Sequence, residues 1–381
     1  MWNRALLLIG PGMLLSLAIR SQSFEQAVGG SSAEFGRAVV TDGSAYVIAS
    51  TVFDQGSNRH LPALIRTNSN GAMVDSILIS VPGRTFIHDA VRTTGGGVVL
   101  AGSIIPDGKH DHDALLIKVN SNDLVEWIVS ADEPDDQHLL AIQTDANGNL
   151  YCGGSMAANG HQNGSLIKYG PSGNILWTAS EGGPLHDNVC DLVVDAAGII
   201  ATGRLTNFGG DADLFLWRTD LDGATQWTTS WGGISEDVGR AIIAQNNGSY
   251  VVAGHTTSFG MVDSDSIRKE NVWVLAVDAI GDTLWTSVIG DTLVDRRAYG
   301  VTGSNGVLYV GGELTGEGTS DALVVKMDQN GNLSWEKTYD LGDRDRIEDI
   351  EAIPTGFHAT GWSFGPLSYQ VLLMRKNSTG D

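Results

Sequence analysis

The chain is poor in cysteine, proline and basic residues. Its 381 residues include two cysteines, nine prolines and 23 lysines and arginines, against 45 aspartates and glutamates, for a net charge of −22. Two cysteines exclude a disulfide-stapled scaffold, and we expect Cys152 and Cys190 to be free thiols, with a single bridge as the alternative. The excess of acid disfavours binding to nucleic acid or to anionic membrane surfaces.

Long apolar runs are also missing beyond the N-terminus. Residues 1–23 combine Arg4, an apolar stretch from Ala5 to Ile19 and small residues before position 24, a pattern that predicts a secretory signal peptide. A Gly-Pro-Gly interruption of that stretch disfavours a membrane anchor. We therefore expect an exported protein, in the periplasm or at the outer membrane, with an extracellular location as the alternative.

The chain is built from an internal repeat of about 50 residues. Spacings of 50, 50, 58 and 50 residues separate five tryptophans: Trp127, Trp177, Trp227, Trp285 and Trp335. A second mark is a small residue followed by glycine that closes an apolar run, at 101–102, 153–154, 202–203, 253–254, 311–312 and 360–361. Each unit holds four strand-like runs, separated by turns such as Asn-Gly and Asp-Gly.

These features predict an all-β fold, a seven-bladed β-propeller of four-stranded antiparallel blades. In the fifth unit the predicted strands are 239–244, 249–253, 272–278 and 283–288. The last unit ends before its fourth strand, and a segment that begins at Phe24 matches the fourth-strand pattern that begins at Trp227. We therefore expect residues 23–29 to complete the seventh blade and close the ring. Residues 24–381 would then form one propeller domain.

Several phrases of the sequence resemble exported repeat propellers of the Bacteroidetes. They are WGGISEDVGRAII from Trp231, GSYVVAGHTTSFG from Gly248 and DQNGNLSW from Asp328. The Asp-x-x-Gly-x-x-x-Trp turns also resemble the tryptophan-docking repeats of quinoprotein propellers, and here we expect the tryptophan to be a packing element. The resemblance implies fold rather than activity. No C-terminal sorting domain for type IX secretion is recognised, which favours a partner of outer-membrane or secretion machinery.

Carboxylates concentrate in the loops that would share one face of the propeller, where function usually lies. Their recurrence at equivalent positions favours a role in capping turns, whereas two carboxylates in one pocket would suit glycoside chemistry. The densest cluster is a candidate for a divalent metal and consists of Asp107, His110, Asp111, His112 and Asp113. Its spacing matches no zinc or calcium motif, so we expect a solvated turn and no cofactor.

The first strands of the repeats predict a ring of residues around the axis. Their alignment places seven residues at one equivalent position: Arg37, Asp89, Leu140, Asp191, Arg240, Tyr299 and Asp349. Ion pairs between neighbouring blades are then expected for Arg37 with Asp349 and Asp89, and for Arg240 with Asp191. The alternative is a ring, with Arg37 and Arg240, that reads a ligand.

The fifth repeat departs from the period, with 58 residues from Gly254 to Gly312 against about 50 elsewhere. The extra length falls between Phe259 and Asn271, and its candidate contact residues are Phe259, Asp263, Asp265, Arg268 and Lys269. We expect a monomeric, non-enzymatic binding or scaffold propeller that recognises a protein or a glycan through the acidic loop face. The alternative is a carbohydrate-active hydrolase or lyase that uses carboxylates on that face.

Overall fold

The computed structural model describes residues 23–29, 32–41, 45–131, 134–158, 160–183, 185–262, 268–316, 318–365 and 368–381. The predicted signal peptide lies outside these residues, apart from its last position. The described chain forms 28 β-strands. It contains no helix that is long and apolar enough to cross a membrane.

After β1 (Phe24–Val28), the strands fall into successive groups, which we call blades and number in chain order. Blade 1 contains β2 (Glu34–Thr41), β3 (Tyr46–Asp54), β4 (Arg59–Thr67) and β5 (Met73–Leu78). Blade 2 contains β6 (Gly83–Arg92), β7 (Val98–Pro106), β8 (Asp113–Val119) and β9 (Val125–Ser130). Blade 3 contains β10 (Gln137–Thr144), β11 (Leu150–Ala158), β12 (His161–Tyr169) and β13 (Ile175–Glu181).

The second half of the chain repeats the pattern. Blade 4 contains β14 (Asn188–Asp195), β15 (Gly198–Thr206), β16 (Ala212–Thr219) and β17 (Thr225–Trp231). Blade 5 contains β18 (Asp237–Ala244), β19 (Tyr250–Thr256), β20 (Asn271–Val277) and β21 (Thr283–Ile289). Blade 6 contains β22 (Asp295–Ser304), β23 (Val307–Thr315), β24 (Ser320–Asp328) and β25 (Leu333–Tyr339). Blade 7 contains β26 (Arg344–Ile353), β27 (Gly356–Phe364) and β28 (Tyr369–Asn377).

Strand β1 pairs with β28 in antiparallel register, with Phe24 opposite Arg375 and Val28 opposite Val371. Blade 7 therefore also has four strands. A single parallel pair, between Ser320 of β24 and Arg344 of β26, links blades 6 and 7 into one sheet. Within every blade, neighbouring strands are antiparallel.

The apolar side chains divide according to the layer in which a strand lies. In blade 5, β19 and β20 are buried throughout, whereas the outer strand β21 alternates between exposed and half-buried residues. Buried hydrophobic clusters lie between successive blades, and one of them joins Val371 and Leu373 of blade 7 to Val39 and Ile48 of blade 1. The core is therefore a series of blade interfaces, each of which covers the faces of two sheets.

At the outer edge, an aromatic ring of one blade lies on a glycine of the next. The rings are Trp127, Trp177, Trp227, Trp285, Trp335 and Phe24, and the glycines, in the same order, are Gly173, Gly223, Gly281, Gly331, Gly380 and Gly71. These glycines have φ between +80° and +92°, a backbone conformation that side chains rarely adopt. The tryptophans are therefore packing elements, and Phe24 of β1 takes the same role toward blade 1.

The interface between blades 1 and 2 lacks this ring. The register places Asp75, an exposed residue, where other blades have tryptophan, and Asp123 replaces the glycine with a φ of +65°. Arg66 of blade 1 instead forms a bidentate ion pair with Asp123, with Nε 3.0 Å from Oδ1. A charged pair thus occupies the place of an aromatic contact.

Cys152 and Cys190 are both free thiols, as predicted. Cys152 is fully buried in the cluster between blades 2 and 3, and Cys190 is partly buried on β14.

The docking of Trp285 on Gly331 can be tested with a matched pair of substitutions. Gly331 and Gly248 have φ of +82° and +80°, but a Cβ on Gly331 would lie 2.5 Å from Trp285, whereas one on Gly248 meets nothing. Both changes to alanine impose a backbone cost of about 1 kcal/mol. We expect Gly331→Ala to lower the free energy of unfolding by a further ~1–3 kcal/mol in urea titrations, because the ring must move. Equal losses for the two variants would contradict the docking role.

Candidate functional site

Two sets of loops lie at the same end of the antiparallel sheets. One set joins the second strand of each blade to the third strand, and the other joins each blade to the next blade. We call this end the upper face. The first strands of successive blades contact one another and line the axis, and each of them begins at the upper face. Side chains near the start of a first strand are therefore close to the upper mouth of the axis.

Each first strand carries a β-bulge near this mouth. The bulged residues are Arg37, His88, Leu140, Cys190, Arg240, Tyr299 and Glu348. Opposite the bulge lies the glycine of the repeated small-Gly motif in blades 2 to 7. A Cβ on these glycines would overlap a carbonyl oxygen of the first strand, which explains the motif.

The predicted alignment at the axis was wrong by one residue in blades 2, 4 and 7. His88, Cys190 and Glu348 are the equivalents of Arg37, and the aspartates stand one position later. The expected pairs of Arg37 and Arg240 with aspartates are not among the ion pairs of the described chain. Arg37 Nη1 instead lies 2.7 Å from Glu348 Oε1. The bulge caused the error, because its extra residue shifts the aspartates one position beyond the equivalents of Arg37.

The three aspartates fasten neighbouring blades through backbone amides. Asp89 accepts from the amide of Ile142 at 2.8 Å, Asp191 accepts from Ile242 at 2.8 Å, and Asp349 accepts from the amide of Val39 in blade 1 at 2.9 Å. Burial raises the pKa of Asp89 to about 8, of Asp191 to about 7 and of Asp349 to about 6, although backbone hydrogen bonds act in the opposite direction. Each of these three carboxyls therefore contributes to the contact between two neighbouring blades.

We call the mouth formed by the bulged residues and their neighbours the axial funnel. Besides the bulged residues, it contains the residue two positions earlier in each first strand and the residue opposite on the second strand: Phe35 and Thr51, Phe86 and Ser103, His138 and Ser155, Asn188 and Arg204, Val238 and His255, Arg297 and Glu313, Arg346 and Trp362. The side chains differ from blade to blade, although the backbone repeats. This part of the chain is therefore not constrained by the repeat.

Blades 5 to 7 form a stack of cations and rings in the funnel. The guanidinium carbon of Arg346 lies 3.4 Å from the centroid of the Tyr299 ring and 5.9 Å from that of Trp362, and Arg240 lies 5.9 Å from Tyr299. Trp362 Nε1 donates to Glu348 Oε1 at 3.0 Å. Burial raises the pKa of Glu348, but Arg346 and Arg37 outweigh it, so the carboxyl is ionised.

Four arginines also act on His255, which is 2% exposed. Burial, followed by the charges of Arg240, Arg297, Arg204 and Arg346, lowers the pKa of His255 to about 3. The imidazole is therefore neutral, and the positive charge at this side of the funnel is carried by guanidinium groups. The sequence predicted Arg240 here but missed the other three.

The long loop of blade 5 lies on the upper face, as its position in the repeat requires. Phe259 is exposed, and its ring centroid is 5.2 Å from that of Trp273. Lys269 Nζ is 3.7 Å from Asp295 Oδ2, and Arg268 is exposed and pairs through its backbone with Val262. Asp263 and Asp265 lie outside the described residues.

The predicted metal candidates have other partners. Asp107 pairs with Arg59 at 2.9 Å, and the buried Asp113 lies 3.4 Å from Lys109 Nζ. Within the described parts of the chain, no group of three or more His, Cys, Asp or Glu side chains is arranged to hold a metal ion.

His112 belongs to a row of rings rather than to a ligand set. Its Nδ1 is 3.1 Å from Ser103 Oγ, and its ring lies 5.5 Å from Phe86 and 4.6 Å from His138. Burial, ahead of all charges, lowers the pKa of His112 and of His138. Both imidazoles are therefore neutral near pH 7 and can act as hydrogen-bond donors or acceptors.

A cleft of about 620 Å³ opens beside this row, between blades 2, 3 and 4. Its titratable lining residues are His110, Asp111, Asp135, Asp136, His161 and His186. The rings of His161 and His186 are 6.2 Å apart. Histidine and carboxylate side chains in one cleft are the groups that acid–base chemistry uses.

Several of the other upper-face carboxylates in the described chain cap turns. Asp187 accepts from the amides of Gly183 and Thr206, both at 2.6 Å, and Asp345 accepts from Leu341 at 2.7 Å. The expectation that recurrent acids are turn caps is correct for these residues.

The upper face of blades 4 to 6 also exposes apolar side chains, a feature that the sequence analysis missed. Phe208 is 90% exposed, Ile234 82% and Leu293 77%, and Met261 and Val262 are exposed nearby. Ser235 N donates to Ser258 Oγ at 3.1 Å, which brings the loop of Ile234 against the segment that leads to Met261. We call these five residues the apolar rim.

No protein-family model matches the chain. Among curated proteins, the regulatory protein FlaEY of Caulobacter vibrioides is 28% identical in an alignment of 162 residues, which covers 37% of this chain and 17% of that protein. The match therefore spans less than a fifth of the length of FlaEY and concerns a part of each protein.

Solved structures show the fold. The WD40 β-propeller domain of Doa1 has a TM-score of 0.55 and 15% identity, and the match covers 94% of this chain and 97% of that one. Polysaccharide lyase Uly1 has a TM-score of 0.54 and 13% identity over 96% and 94% of the two chains. Sqt1 of Chaetomium thermophilum, bound to the N-terminus of ribosomal protein L10, has a TM-score of 0.50 and 11% identity over 87% and 83%. The chain has a β-propeller fold.

The raised pKa of Asp89 predicts a pH dependence of stability. Since the folded-state pKa is about 8 and the ordinary value is 3.8, the folded protein binds more protons than the unfolded chain between these pH values. The contribution of Asp89 is therefore complete below about pH 4 and is lost as the pH rises toward 8. We expect Asp89→Asn to make the free energy of unfolding fall less steeply between pH 5 and 8 in urea titrations.

The control for this experiment is Asp75→Asn, which removes a charge from an exposed position. This variant should show the same slope of unfolding free energy against pH as the wild-type protein. If Asp89→Asn shows the same slope of unfolding free energy against pH as the control, Asp89 is not protonated in the folded protein and the prediction is wrong.

Proposed function

We propose that this protein is a non-enzymatic binding propeller whose upper face docks a protein partner on the apolar rim. The observation that carries the proposal is the exposure of Phe208, Ile234 and Leu293 on one face of a strongly acidic chain. A group of apolar side chains that are exposed to water on one face of a protein commonly marks an interaction surface. Elsewhere, exposed apolar residues such as Val74 and Leu284 lie on outer strands, where they recur with the repeat.

The surroundings of the rim indicate the character of the partner. Asp211, Glu236 and Asp295 lie in or beside the same loops, and the whole chain carries a charge of −22. A segment that combines apolar side chains with lysine or arginine would meet both the rim and its acidic border. The Sqt1 structure supports this use of the fold, since that propeller holds the N-terminus of another protein.

Two further parts of the proposal concern the whole chain. The signal-like N-terminus and the resemblance to exported propellers support a location in the cell envelope or the secreted space. The pairing of β1 with β28 and the position of Phe24 on Gly71 support a seven-bladed ring that is closed by the N-terminal strand.

The docking proposal is tested with two double variants. Phe208→Ser with Ile234→Ser removes the two most exposed residues of the rim. The control, Leu124→Ser with Ile280→Ser, removes exposed apolar residues from the turns between the third and fourth strands of blades 2 and 5, on the opposite face. The immobilised proteins are incubated with envelope extract of the native host, captured proteins are identified, and purified partners are titrated by surface plasmon resonance. We expect the rim variant to bind at least about tenfold more weakly and the control to bind normally.

Retention of every partner by the rim variant would overturn the proposal. An equal loss in both double variants would also overturn it, because the effect would then not be specific to the upper face.

A second candidate is a carbohydrate-active hydrolase or lyase, and the cleft with His161, His186 and Asp136 favours it. The similarity of fold to polysaccharide lyase Uly1 adds support. An active enzyme should release new reducing ends or unsaturated sugars from a panel of neutral and acidic polysaccharides. His161→Ala should then lower the rate by at least about a hundredfold, since it removes a general acid or base. The absence of product from the whole panel, or unchanged activity of the variant, would contradict this candidate.

A further inference from the structure

Arg240 differs from the other arginines of the axial funnel in its partners. Arg37, Arg204, Arg297 and Arg346 each have a carboxylate within ion-pairing distance. In the described chain Arg240 has none, and its hydrogen bond goes to the Sγ atom of Cys190, 3.9 Å from Nη1. A guanidinium group in a partly buried place is normally paired with an acid.

Two buried polar atoms at this place also lack partners. Arg240 Nε and His255 Nδ1 are both shielded from solvent, and neither has a hydrogen bond in the described structure. Buried donors and acceptors without partners are rare because each of them costs about 1–3 kcal/mol. His255 itself is 2% exposed and lies opposite Val238 on the strand pair that carries Arg240.

The local charge is positive. Burial has the largest effect on Cys190 and raises the pKa of its thiol, whereas the charges of Arg240 and Arg204 act to lower that pKa. The same two arginines also lower the pKa of the neutral His255. The carboxylate of Glu236 is 3.4 Å from Arg204 Nη1, and Glu236 is exposed. A protein of net charge −22 thus keeps, at the mouth of its axis, an arginine that forms no ion pair within the described chain.

A row of rings continues from this cation. Tyr299 lies beside Arg240, and Trp362 follows beyond Arg346. Phe35 and Tyr369 extend the row, with ring centroids 6.4 Å and 5.4 Å from Trp362. All four rings are partly exposed. Flat apolar rings next to guanidinium groups suit a ligand that has both C–H faces and a carboxylate, as an acidic sugar has.

We propose that the axial funnel binds an acidic sugar chain, with the carboxylate of a uronic acid residue held by Arg240 and Arg204 and its neighbouring sugars on the rings of Tyr299 and Trp362. The carboxylate supplies the acceptor that Arg240 lacks. This site is separate from the apolar rim and does not depend on protein docking there.

The test uses calorimetric titration of the full chain with trisaccharides of galacturonic, glucuronic, mannuronic and guluronic acid, and with galactotriose as the neutral counterpart. We expect at least one uronic acid trisaccharide to bind at millimolar concentration or below, and galactotriose not to bind. Arg240→Gln should weaken binding by at least about tenfold, because a charge-assisted pair is lost. Arg268→Gln, which removes the same charge from the blade 5 loop on the same face, should bind as the wild type does.

Thermal unfolding of the same variants separates a ligand site from a structural role. Arg240 has no carboxylate partner, so Arg240→Gln without ligand should unfold at the wild-type temperature or above it. A lower unfolding temperature for Arg240→Gln would assign it to blade docking and overturn the proposal. Failure of all four acidic trisaccharides, equal binding of galactotriose, unchanged binding by Arg240→Gln, or binding of a glutamate tripeptide instead of any sugar would overturn it as well.

Discussion

The docking of an aromatic side chain on a left-handed glycine of the next blade sets the spacing of successive blades. Trp285 on Gly331 is one such contact, and it needs both partners at fixed places in the repeat. The glycine supplies the positive φ of the turn and at the same time the space for the ring. Since the same contact recurs at most interfaces, the angle between blades is repeated, and the inner ends of the first strands are brought around one axis.

The inner edge follows a different constraint. The bulge in each first strand gives two positions per blade that point into the funnel, and packing does not dictate their identity. Blades 2, 4 and 7 use a partly buried aspartate beside the bulge to hold the next blade, which leaves the bulged residue free for other roles. Thus the contacts between blades follow the repeat, whereas the side chains that face the axis, such as Arg240, Tyr299 and Glu348, differ chemically from blade to blade.

The sequence predicted the repeat and its strands well, because hairpin turns and apolar runs recur locally. In the fifth unit the predicted strand 283–288 compares with β21, and 249–253 with β19. The register at the axis could not be predicted from the same pattern, since a bulge adds a residue without changing the alternation around it. Gly102 and its equivalents were the available signal, because they mark the place opposite each bulge. The rim was missed because single apolar residues in loops, such as Phe208, have no period.

The contact between blades 1 and 2 differs in kind from the other contacts at the outer edge, because the ion pair between Arg66 and Asp123 replaces the aromatic side chain. Aromatic contacts are insensitive to ionic strength, whereas a half-exposed charged pair weakens as salt screens it. The outer edges of blades 1 and 2 are therefore the place where the contact between neighbouring blades weakens first in concentrated salt, while the aromatic contacts keep their strength. Loss of that contact would separate blade 1 from blade 2 at their outer edges. Phe24 of the N-terminal strand packs on Gly71 of blade 1, so partial unfolding in salt is expected to begin next to the N-terminal strand.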